Sequence, residues 1–475
     1  MKDYNRRKFI KLSALSAGFL GLSAGTAFAN DKIENRINSL KDSPKAVGNS
    51  VIGLKHEPIK QVRIGIIGVG NRGYGHIKKI NAIQPNAIIV AIADARESRA
   101  KRAVELLNKL NKKELDIDLY FGDEEIWRNM VKRDDIDLIV VATPPTEHSH
   151  MAVYAMEQNK HVVVEVPIAL TIQESWDIIN TAEKTQRHCM MLENVCYGEE
   201  ELWVLNMVKN NVFGSLTHAE GGYLHSLLQK MFVKSNNPAT RAYYKQWRLR
   251  LHAETHGNLY PTHGLGPIAN YMDIGNGDRF DYLVSMDSSE ESLHQYAEQS
   301  PPNNDFYNRK NFSHGDMNSS LIKTAKGRSI LLQHDVVSPR PYSRINALTG
   351  TMAHHEGYPS RLSMYNEDLG HDWIGEEKFK EMQEKYEHPI WRKMREEAKE
   401  QGGHGGMDYI MFYRLIKNLN NGYAMDMNVY NGVDWSAIVP LTKLSVELGS
   451  IPIKFPDFTR GKWKEERELG LFQNI

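Results

Sequence analysis

A tyrosine and a histidine three residues apart in "GNLYPTHGLGP" have side chains suited to proton transfer. Tyr260 and His263 can face one pocket if this segment is tight. Phenol and imidazole groups hydrogen-bond to hydroxyl groups and can move protons near neutral pH. The pair therefore predicts acid–base chemistry on a hydroxylated substrate, without assigning which residue is the acid. The alternative for His263 is a buried structural histidine.

A glycine-rich turn provides the second chemical signal. Gly68, Gly70 and Gly73 lie in "GVGNRG", directly after an apolar run. Asp94 stands about 20 residues further on, at the end of a second apolar run. Glycines allow a tight turn and the close approach of a pyrophosphate to a helix N-terminus. Asp94 suits a ribose diol, so the pattern favours NAD over NADP, and Arg96 leaves NADP open.

Two histidines four residues apart, His252 and His256, have the spacing of a metal site on a helix. However, "HAETH" is not the zinc-binding His-Glu-x-x-His pattern, and Gly257 would end the helix. We therefore expect no metal. Another histidine, His404 in "GGHGGMDY", is a further active-site candidate, and Asp408 fits the first turn of the helix that follows.

Apolar strands alternate with helical patterns over the first half of the chain. The segments "VRIGIIGVG", "AIIVAIAD", "IDLIVVATP", "HVVVEVP" and "HCMMLENV" have the composition of buried strands. Such alternation predicts parallel strands with helices on both faces. Residues 61–197 are thus expected to form a doubly wound Rossmann domain of the α/β class. This fold places "GVGNRG" at a strand-to-helix turn.

The second half of the chain has a different pattern. Strand-like segments joined by turns, such as "GSLTHAEGGYLHSL" and "SSLIKTAKGRSILLQHDVV", predict an open, mainly antiparallel sheet in an α+β domain over residues 198–475. Two polar stretches, 286–316 and 354–406, are long for connections and are interpreted as insertions or lids. Late helices are expected to return to the sheets, the last of them interrupted by Pro440.

The N-terminal segment has the features of an export signal. Arg6 and Arg7 precede an apolar run that ends in a small-x-small cleavage site, Ala27-Phe28-Ala29. We expect residues 1–29 to be a cleaved twin-arginine signal peptide, followed by a lead-in segment over 30–60. The mature protein would be periplasmic or extracytoplasmic, without a stable membrane span. Its two cysteines, too few for a disulfide framework, are expected to be reduced and buried.

The overall charge limits the class of partner. Lysine plus arginine (59) balances aspartate plus glutamate (59), so no global field attracts nucleic acid. The expected partner is a small molecule or a glycan.

Several motifs together resemble a known family. In order, "GVGNRG", "ATPPTEHSH" and "EVP" resemble the glucose-fructose oxidoreductase family, in which a Rossmann domain precedes an open antiparallel sheet. A narrower set is similar to glycoside hydrolase family 109: "MMLENVCYG", "WRLRLHAETHGNLYPTHGLGPIANYM", "RPYSR" and "GGHGGMDY". That family consists of NAD-dependent enzymes typified by α-N-acetylgalactosaminidase activity. The wider family also implies a homo-oligomer formed through the second sheet.

The same resemblance implies a set of site residues. Besides the three glycines, the residues implied to contact NAD are Asn71, Arg72, Asp94, Pro145, His148, Glu165, Val166 and Asn194. Those implied to contact the substrate are Tyr223, Arg248, Tyr260, Pro261, Thr262, His263 and Tyr342. Tyr197 in "ENVCYG" is another candidate base, and its alternative is a core tyrosine.

Val166 bears on the reaction that these residues would perform. Dehydrogenases of the wider family carry Glu-Lys-Pro where this chain has Glu165-Val166-Pro167, and their lysine takes the alcohol proton as hydride leaves. A valine fits the redox-neutral cycle that the narrower resemblance implies. In that cycle sugar C3 is oxidised with NAD+, a base removes the C2 proton, the glycosidic oxygen leaves C1, water adds, and C3 is reduced again. Alternatively, His263 or a tyrosine replaces the lysine in a net dehydrogenase.

Two other functions stay open at this point. One is an exported NAD(P)-dependent sugar oxidoreductase resembling glucose-fructose oxidoreductase, and Val166 argues against it. The other is a non-catalytic sugar-binding protein that retains NAD, and Tyr260 together with His263 argues against that.

Overall fold

A six-stranded parallel sheet is built from the first half of the chain. The computed structural model describes residues 43–235, 237, 240–300, 306, 311–365 and 371–475. The strand order is β3-β2-β1-β4-β5-β6, with bounds β1 (Val62–Ile67), β2 (Ala87–Ala93), β3 (Asp118–Tyr120), β4 (Leu138–Val141), β5 (His161–Val164) and β6 (Cys189–Met191). The helices between them are α1 (Asn71–Asn81), α2 (Glu97–Asn111), α3 (Trp127–Val131), α4 (His148–Glu157) and α5 (Ile172–Thr185).

This sheet confirms the predicted doubly wound Rossmann architecture. All five strand pairs are parallel, and every residue of β4 and β5 is buried. Strands covered on both faces are apolar throughout, which is why the sequence shows continuous runs instead of alternation. The carboxyl ends of β1 and β4 meet beside the first crossover, the place where such folds bind nucleotides.

An eight-stranded sheet occupies the second half, in the order β13-β12-β11-β7-β10-β9-β8-β14. Its strands are β7 (Leu216–Leu224), β8 (Phe280–Asp287), β9 (Asn318–Thr324), β10 (Ser329–Asp335), β11 (Ala347–Gly350), β12 (Ala353–Gly357), β13 (Ser360–Met364) and β14 (Ile453–Lys454). Only the β7–β10 pair is parallel among these neighbours, which confirms the mainly antiparallel prediction. Met286 and Leu321 are exposed on one face; the homo-oligomer expected there stays a prediction.

Ten helices of the described residues accompany this sheet. They are α6 (Glu199–Lys209), α7 (Leu228–Phe232), α8 (Trp247–Glu254), α9 (Thr262–Tyr271), α10 (Ser292–Gln299), α11 (Glu376–Lys385), α12 (Pro389–Gln401), α13 (Met407–Asn421), α14 (Val429–Ser436) and α15 (Ile438–Glu447). The predicted last helix is two helices, and the break falls at Ala437, before Pro440. Pro440 is tolerated because it lies in the first turn of α15, where its missing N–H has no helical partner to lose.

The two polar stretches are more regular than the sequence suggested. Residues 354–406 contain β13, α11 and α12 as well as most of β12, and 286–316 contains α10, so regular structure replaces much of the expected loops. The predicted signal peptide and residues 30–42 lie outside the described residues. Residues 43–60 run along the surface, where Ile59 N–H donates to the carbonyl of Leu419. Across the described residues, no helix is both long and apolar enough to cross a membrane.

Both cysteines are buried and free. Burial raises the pKa of the Cys189 thiol to about 12, and burial together with Glu193 raises the pKa of Cys196. Because the thiolate is the reactive form, these side chains act as packing groups.

Asp434 on α14 is a buried carboxyl whose charge is costly. Burial, reinforced by Asp457, raises its pKa to about 8. The folded-state pKa lies above the ordinary value of 3.8, so stability falls as pH rises from about 4 towards 8.

We therefore expect Asp434→Asn to stabilise the fold by about 1 kcal/mol or more at pH 8, and by little near pH 4. Urea unfolding at the two pH values measures this difference. The exposed Asp372→Asn variant is the control, and an equal gain at both pH values would contradict the assignment.

Candidate active site

A cavity of about 460 Å³ lies at the carboxyl ends of β1, β2 and β4. Cavities of this size hold cofactors and drug-sized ligands. Its lining includes Gly68, Gly70, Asn71, Arg72 and Asp94 from the predicted nucleotide site. Five residues that the sequence predicted to bind the nucleotide therefore line one cavity in the structure.

The glycine-rich turn has the shape that a dinucleotide requires. Gly68 has φ +84°, and a Cβ built there would lie 2.8 Å from the carbonyl oxygen of Ala142. A Cβ at Gly73 would collide with the carbonyl oxygen of Gly68. Around Gly70, by contrast, the closest atom to a built Cβ is Arg96 Nη2 at 3.9 Å. The turn is closed on its protein side and open toward the cavity, so this cradle fits a pyrophosphate at the N-terminus of α1.

Asp94 is held in place by backbone donors. Val69 N–H donates to its Oδ2 over 3.0 Å, and Arg96 N–H donates to its Oδ1 over 3.0 Å. The carboxylate lines the cavity at the end of β2, where a ribose diol is bound in this fold. Arg96 stacks over Tyr244 at 4.6 Å and pairs with Asp94 at 3.3 Å.

A segment of the second half covers this cavity. Asn71 Nδ2–H donates to the carbonyl of Arg241 over 3.0 Å, and the Tyr244 hydroxyl and Lys245 ammonium both donate to Glu124 over 2.5 Å. Helix α8 contributes further lining residues, among them Trp247. The sequence did not indicate this cover, because its contacts join residues more than a hundred positions apart.

A charged network extends from the nucleotide turn into the interior. Arg72 donates to Glu165 over 2.7 Å and to Asp408 over 3.0 Å. His76 Nε2 lies 2.7 Å from the same Glu165 oxygen, and Asn194 Nδ2–H donates to Asp408 over 2.6 Å. Asp408, which the sequence suggested only as a helix-start acid, thus bridges Arg72 and Asn194, and Arg72 in turn joins Glu165 to them.

The network fixes the charge of its members. Burial is the largest single influence and opposes ionisation of Glu165 and Asp408. Arg72, together with His76 at Glu165 and with His404 and His76 at Asp408, outweighs it and holds the pKa of both carboxyls far below the usual range. Burial likewise acts against the Arg72 cation, and the two carboxylates raise its pKa above the ordinary value. His404, mostly exposed, lies 2.9 Å from Asp408. Arg72 therefore points a permanent positive charge along the edge of the cofactor cavity.

The predicted proton-transfer pair lies beside this network. His263 Nδ1–H donates to Glu193 Oε1 over 2.7 Å, and Glu193 is fully buried. The rings of Tyr260 and His263 are 5.1 Å apart and nearly perpendicular. Because Nδ1 is engaged by the carboxylate, Nε2 is the free nitrogen of His263. A histidine oriented by a buried carboxylate is an arrangement suited to moving protons.

Tyr260 connects the pair to the cofactor residues. Burial raises the pKa of its phenol; Tyr223 and Glu165 add to the rise, and Arg248 and Arg72 oppose it. The phenol is accordingly protonated at neutral pH and can donate a hydrogen bond. The influence of Glu165 and Arg72 shows that Tyr260 stands at the border of the nucleotide site.

An aromatic wall surrounds this centre. Tyr223 stacks against Tyr260 at 4.5 Å and lies 6.3 Å from Tyr342. Arg248 is buried and sits over the Tyr260 ring at 4.9 Å. Four predicted substrate residues therefore meet around His263, with Tyr342 at the exposed rim. Pro261 and Thr262 begin α9 beneath them, and the Thr262 hydroxyl is buried without a hydrogen-bond partner in the described residues.

The remaining predicted cofactor residues shape the cavity from behind. Pro145 is buried in a short turn, and the ring nitrogens of His148 lie 2.7 and 2.9 Å from the carbonyl oxygens of Pro167 and Thr143. Thr143 lines the cavity, so His148 holds the backbone that contacts it. Val166 is buried next to Glu165.

Tyr197 stands apart from this centre. Its hydroxyl donates to Asp426 over 3.1 Å, and Arg414 pairs with the same carboxylate over 2.6 Å. Tyr197 is fully buried, and burial, together with Asp426, raises its pKa. This geometry supports the core tyrosine, and not the candidate base.

The two histidines with the spacing of a metal site on a helix have different partners. His256 faces Asp287 at 3.3 Å, whereas His252 faces the carbonyl of Arg248 at 2.8 Å.

Comparison with known proteins matches both halves of this architecture. Residues 62–193 match the family described as "Oxidoreductase family, NAD-binding Rossmann fold". Residues 197–465, more than half of the chain, match "Glycosyl hydrolase 109, C-terminal domain". The chain belongs to glycosyl hydrolase family 109. A family 109 protein of Shewanella sp. (strain ANA-3) is 44% identical over 99% of this chain and 100% of its own length. The α-N-acetylgalactosaminidase of Shewanella oneidensis is 42% identical over 99% of each chain.

Solved structures share the fold of this family 109 chain. A levoglucosan dehydrogenase in complex with NADH and levoglucosan has a TM-score of 0.61 at 18% identity, covering 83% of this chain and 99% of its own. The apo scyllo-inositol dehydrogenase of Lactobacillus casei has a TM-score of 0.56 at 13% identity, covering 83% of this chain and 98% of its own. With the family assignment, the cavity geometry identifies an NAD-dependent glycosidase.

The choice between NAD and NADP tests the role of Asp94. A carboxylate at this point repels a 2'-phosphate, so Asp94→Ser is expected to raise the affinity for NADPH relative to NADH by about tenfold or more. Serine keeps an acceptor for the Val69 N–H. Fluorescence titration of cofactor-free protein with both nucleotides measures the ratio. Asp123→Ser, on the cavity lining, is the matched control, and an unchanged ratio would show that Asp94 does not discriminate.

Proposed function

We propose that this chain is an α-N-acetylgalactosaminidase that cleaves its glycoside through a redox-neutral cycle. The relative of that name from Shewanella oneidensis supports the substrate class. The carrying observation is the His263–Glu193 pair, 2.7 Å apart, beside Tyr260 and next to the Arg72–Glu165 ion pair of the nucleotide site. Val166 supplies no ionisable group there, so proton transfer belongs to this cluster.

Tyr260 and His263 have different roles in the proposed reaction. NAD, when bound, supplies reversible hydride exchange with C3 of the sugar. Tyr260, protonated, donates a hydrogen bond to the oxygen on C3. His263 takes the C3 hydroxyl proton at Nε2 and releases it to solvent, and then takes the C2 proton, which the C3 ketone has made acidic. As the C1–C2 double bond forms, the glycosidic oxygen leaves C1 and takes up the proton from His263. Water adds its hydroxyl to C1 and its proton to C2, and C3 returns to an alcohol as a proton from solvent reaches its oxygen through His263.

The aromatic wall and the charged network position the sugar for these reaction steps. Arg248 and Tyr342 bind sugar oxygens, and the Tyr223 ring packs against the sugar. Arg72, fixed by Glu165 and Asp408, stabilises negative charge as it develops at the border of the two sites. No electrons leave the protein in a full turnover, so the cofactor need not dissociate.

A nitrophenyl α-N-acetylgalactosaminide separates this proposal from its rivals. Purified protein is incubated without added cofactor while nitrophenol and NADH absorbance are followed. Nitrophenol release without accumulating NADH is expected. Stoichiometric NADH or a sugar acid would indicate the sugar oxidoreductase, and no product would indicate the sugar-binding protein. Deuterium at C2 should be lost to solvent during hydrolysis, and retained deuterium would eliminate the proposed cycle.

Glu193 acts by positioning His263. Glu193→Gln keeps an acceptor for the Val195 N–H, which bonds the present carboxylate over 3.1 Å, but removes the charge beside the imidazole. We expect kcat/KM to fall about 10–100-fold. The loss should fall on kcat, with KM within about twofold of the parent, because the imidazole loses the carboxylate that orients it. Glu200→Gln, a partly exposed acid on α6, is the control. An equal loss in that control, or a loss confined to KM, would contradict a positioning role for Glu193.

We also propose that the protein is exported by the twin-arginine route, and Arg6 with Arg7 supports this. A route that carries folded proteins suits a chain that must take up NAD beforehand. Cell fractionation of the Arg6→Lys, Arg7→Lys double variant tests it. Accumulation in the cytoplasm is expected, whereas unchanged distribution would exclude this route.

A further inference from the structure

Three histidines form a buried cluster behind the aromatic wall. His252 lies on α8, His334 lies on β10, and His314 precedes β9. Each is at most 1% exposed. Their ring centres are 4.5 Å apart for His252 and His314, 5.2 Å for His314 and His334, and 5.9 Å for His252 and His334. The three residues are brought together by tertiary folding, since only one of them lies on the helix that the sequence pattern singled out.

The hydrogen bonds of the cluster leave nitrogen lone pairs without partners. His252 Nδ1–H donates to the carbonyl of Arg248 over 2.8 Å, and His314 Nδ1–H donates to the carbonyl of Gly315 over 2.6 Å. The Nε2 atoms of both rings, and both ring nitrogens of His334, are buried without a hydrogen-bond partner in the described residues. In its neutral form an imidazole has a hydrogen on one ring nitrogen and a lone pair on the other, so each of the three rings offers one ligand atom.

Buried polar atoms without partners are rare, and each costs about 1–3 kcal/mol. Three of the four atoms in this cluster, one from each ring, can be satisfied by one common partner. Neutral imidazoles whose Nδ1–H groups bond to carbonyl oxygens have the orientation seen in metal-binding histidines, because the carbonyl fixes the tautomer and aims Nε2 at the ion. One ligand atom from each ring lies within 4.8 Å of the other two.

We propose that His252, His314 and His334 bind a divalent transition-metal ion, with Zn2+ as the best fit. Three imidazoles and a water molecule or hydroxide complete a tetrahedral zinc site. Zn–N bonds of about 2.0–2.1 Å place ligand atoms roughly 3.4 Å apart, so the ligand atoms, which lie within 4.8 Å of one another, need to close by no more than about 1.4 Å. Rotations about the histidine side-chain bonds supply this movement.

The position of the site gives it a structural role at the substrate wall. His334 is the register partner of Tyr223 in the parallel β7–β10 pair, and His252 is one turn from Arg248 on α8. An ion would tie α8 to β10 and so hold Arg248 and Tyr223 at a fixed separation. The sequence-based expectation of no metal considered only His252 with His256, and could not include ligands from other elements.

Cobalt substitution tests the site with a readout independent of glycosidase activity. NAD-loaded protein is stripped with a chelator and titrated with Co2+. We expect visible d–d bands of a tetrahedral site that saturate at one equivalent, and a rise in Tm of several degrees with Zn2+. His314→Gln, outside helices and strands, should lose both responses. His256→Gln, a histidine beside the cluster but outside it, should keep them.

Several results would overturn the proposal. One is the absence of both the bands and the Zn2+-dependent Tm in the unmodified protein. Another is Co2+ binding by His314→Gln and His252→Gln equal to that of the parent, which would place the ion elsewhere. X-ray absorption of the zinc-loaded parent decides the matter even if the variants fail to fold. Three imidazole ligands support the site, and fewer than three refute it.

Discussion

His263→Ala is expected to lower kcat about 10²–10⁴-fold, with the fold intact. The His263 ring lies 5.1 Å from that of Tyr260 and 5.4 Å from that of Tyr223, and general acid–base catalysis by one side chain contributes a factor of this size. Circular dichroism and bound NAD should match those of the parent, because the His263 side chain is 13% exposed and its removal leaves Glu193 next to a space that water can enter. Steady-state hydrolysis of a nitrophenyl glycoside measures the loss.

The matched control for His263 is His256→Ala. Both histidines flank "GNLYPT", but His256 pairs with Asp287 at 3.3 Å, away from the aromatic wall. Its activity should stay within about twofold of the parent, as for a surface change. If His263→Ala keeps more than a tenth of parental kcat, another group carries the proton and the proposed cycle must be assigned to other residues.

Asp408→Asn is expected to destabilise the fold by about 3 kcal/mol. The carboxylate pairs with Arg72 and accepts from Asn194, and removing one partner of a buried ion pair costs about 3–5 kcal/mol. The lower figure applies because the Arg72 side chain is 29% exposed and keeps Glu165. NAD affinity should fall as well, since Arg72 loses one of the two groups that orient it at the cavity.

The pH dependence separates this network from a simple helix-terminus effect. The folded-state pKa of Asp408 lies below the ordinary value of 3.8, so its contribution is complete above about pH 4 and is lost as pH falls further. The difference in the free energy of unfolding between the parent and Asp408→Asn should therefore become smaller in acid. Glu376→Gln removes an exposed acid from the first turn of α11 and should cost at most about 1 kcal/mol. Urea unfolding at several pH values measures both, and equal losses in the two variants would reduce Asp408 to a helix-start acid.

The Rossmann half of the fold was predictable because its strands are apolar on both faces. β4 is an uninterrupted apolar run, whereas β1 and β5 each contain one polar residue, Arg63 and His161. β3 was missed since Asp118–Tyr120 is a short edge strand with a partly exposed pattern, and α3 is only five residues long. In the second half β13 was missed, because Ser360–Met364 has a single buried residue.

In the candidate site, residues close together in the sequence were predictable, whereas partners far apart in the sequence were not. Tyr260 and His263 could be found from sequence because one short turn carries both. Glu193 could not, although it stands next to Asn194 at the end of β6, because its partner lies 70 positions away. A buried acid in the otherwise apolar "MMLENV" was the available signal. Arg72 was assigned to the cofactor alone, since sequence does not reveal that Asp408, 336 positions away, shares its guanidinium.

Helix α8 contacts both ligand sites at once, and this couples their kinetics. Its Trp247 lines the nucleotide cavity, while the next residue, Arg248, stands over Tyr260 in the aromatic wall. A glycoside seated against Arg248 is expected to restrain this two-turn helix and, with it, the part of the cavity that Trp247 lines. Coenzyme escape should therefore slow as the sugar concentration rises, so that the nicotinamide behaves as a prosthetic group whose residence time is set by the substrate.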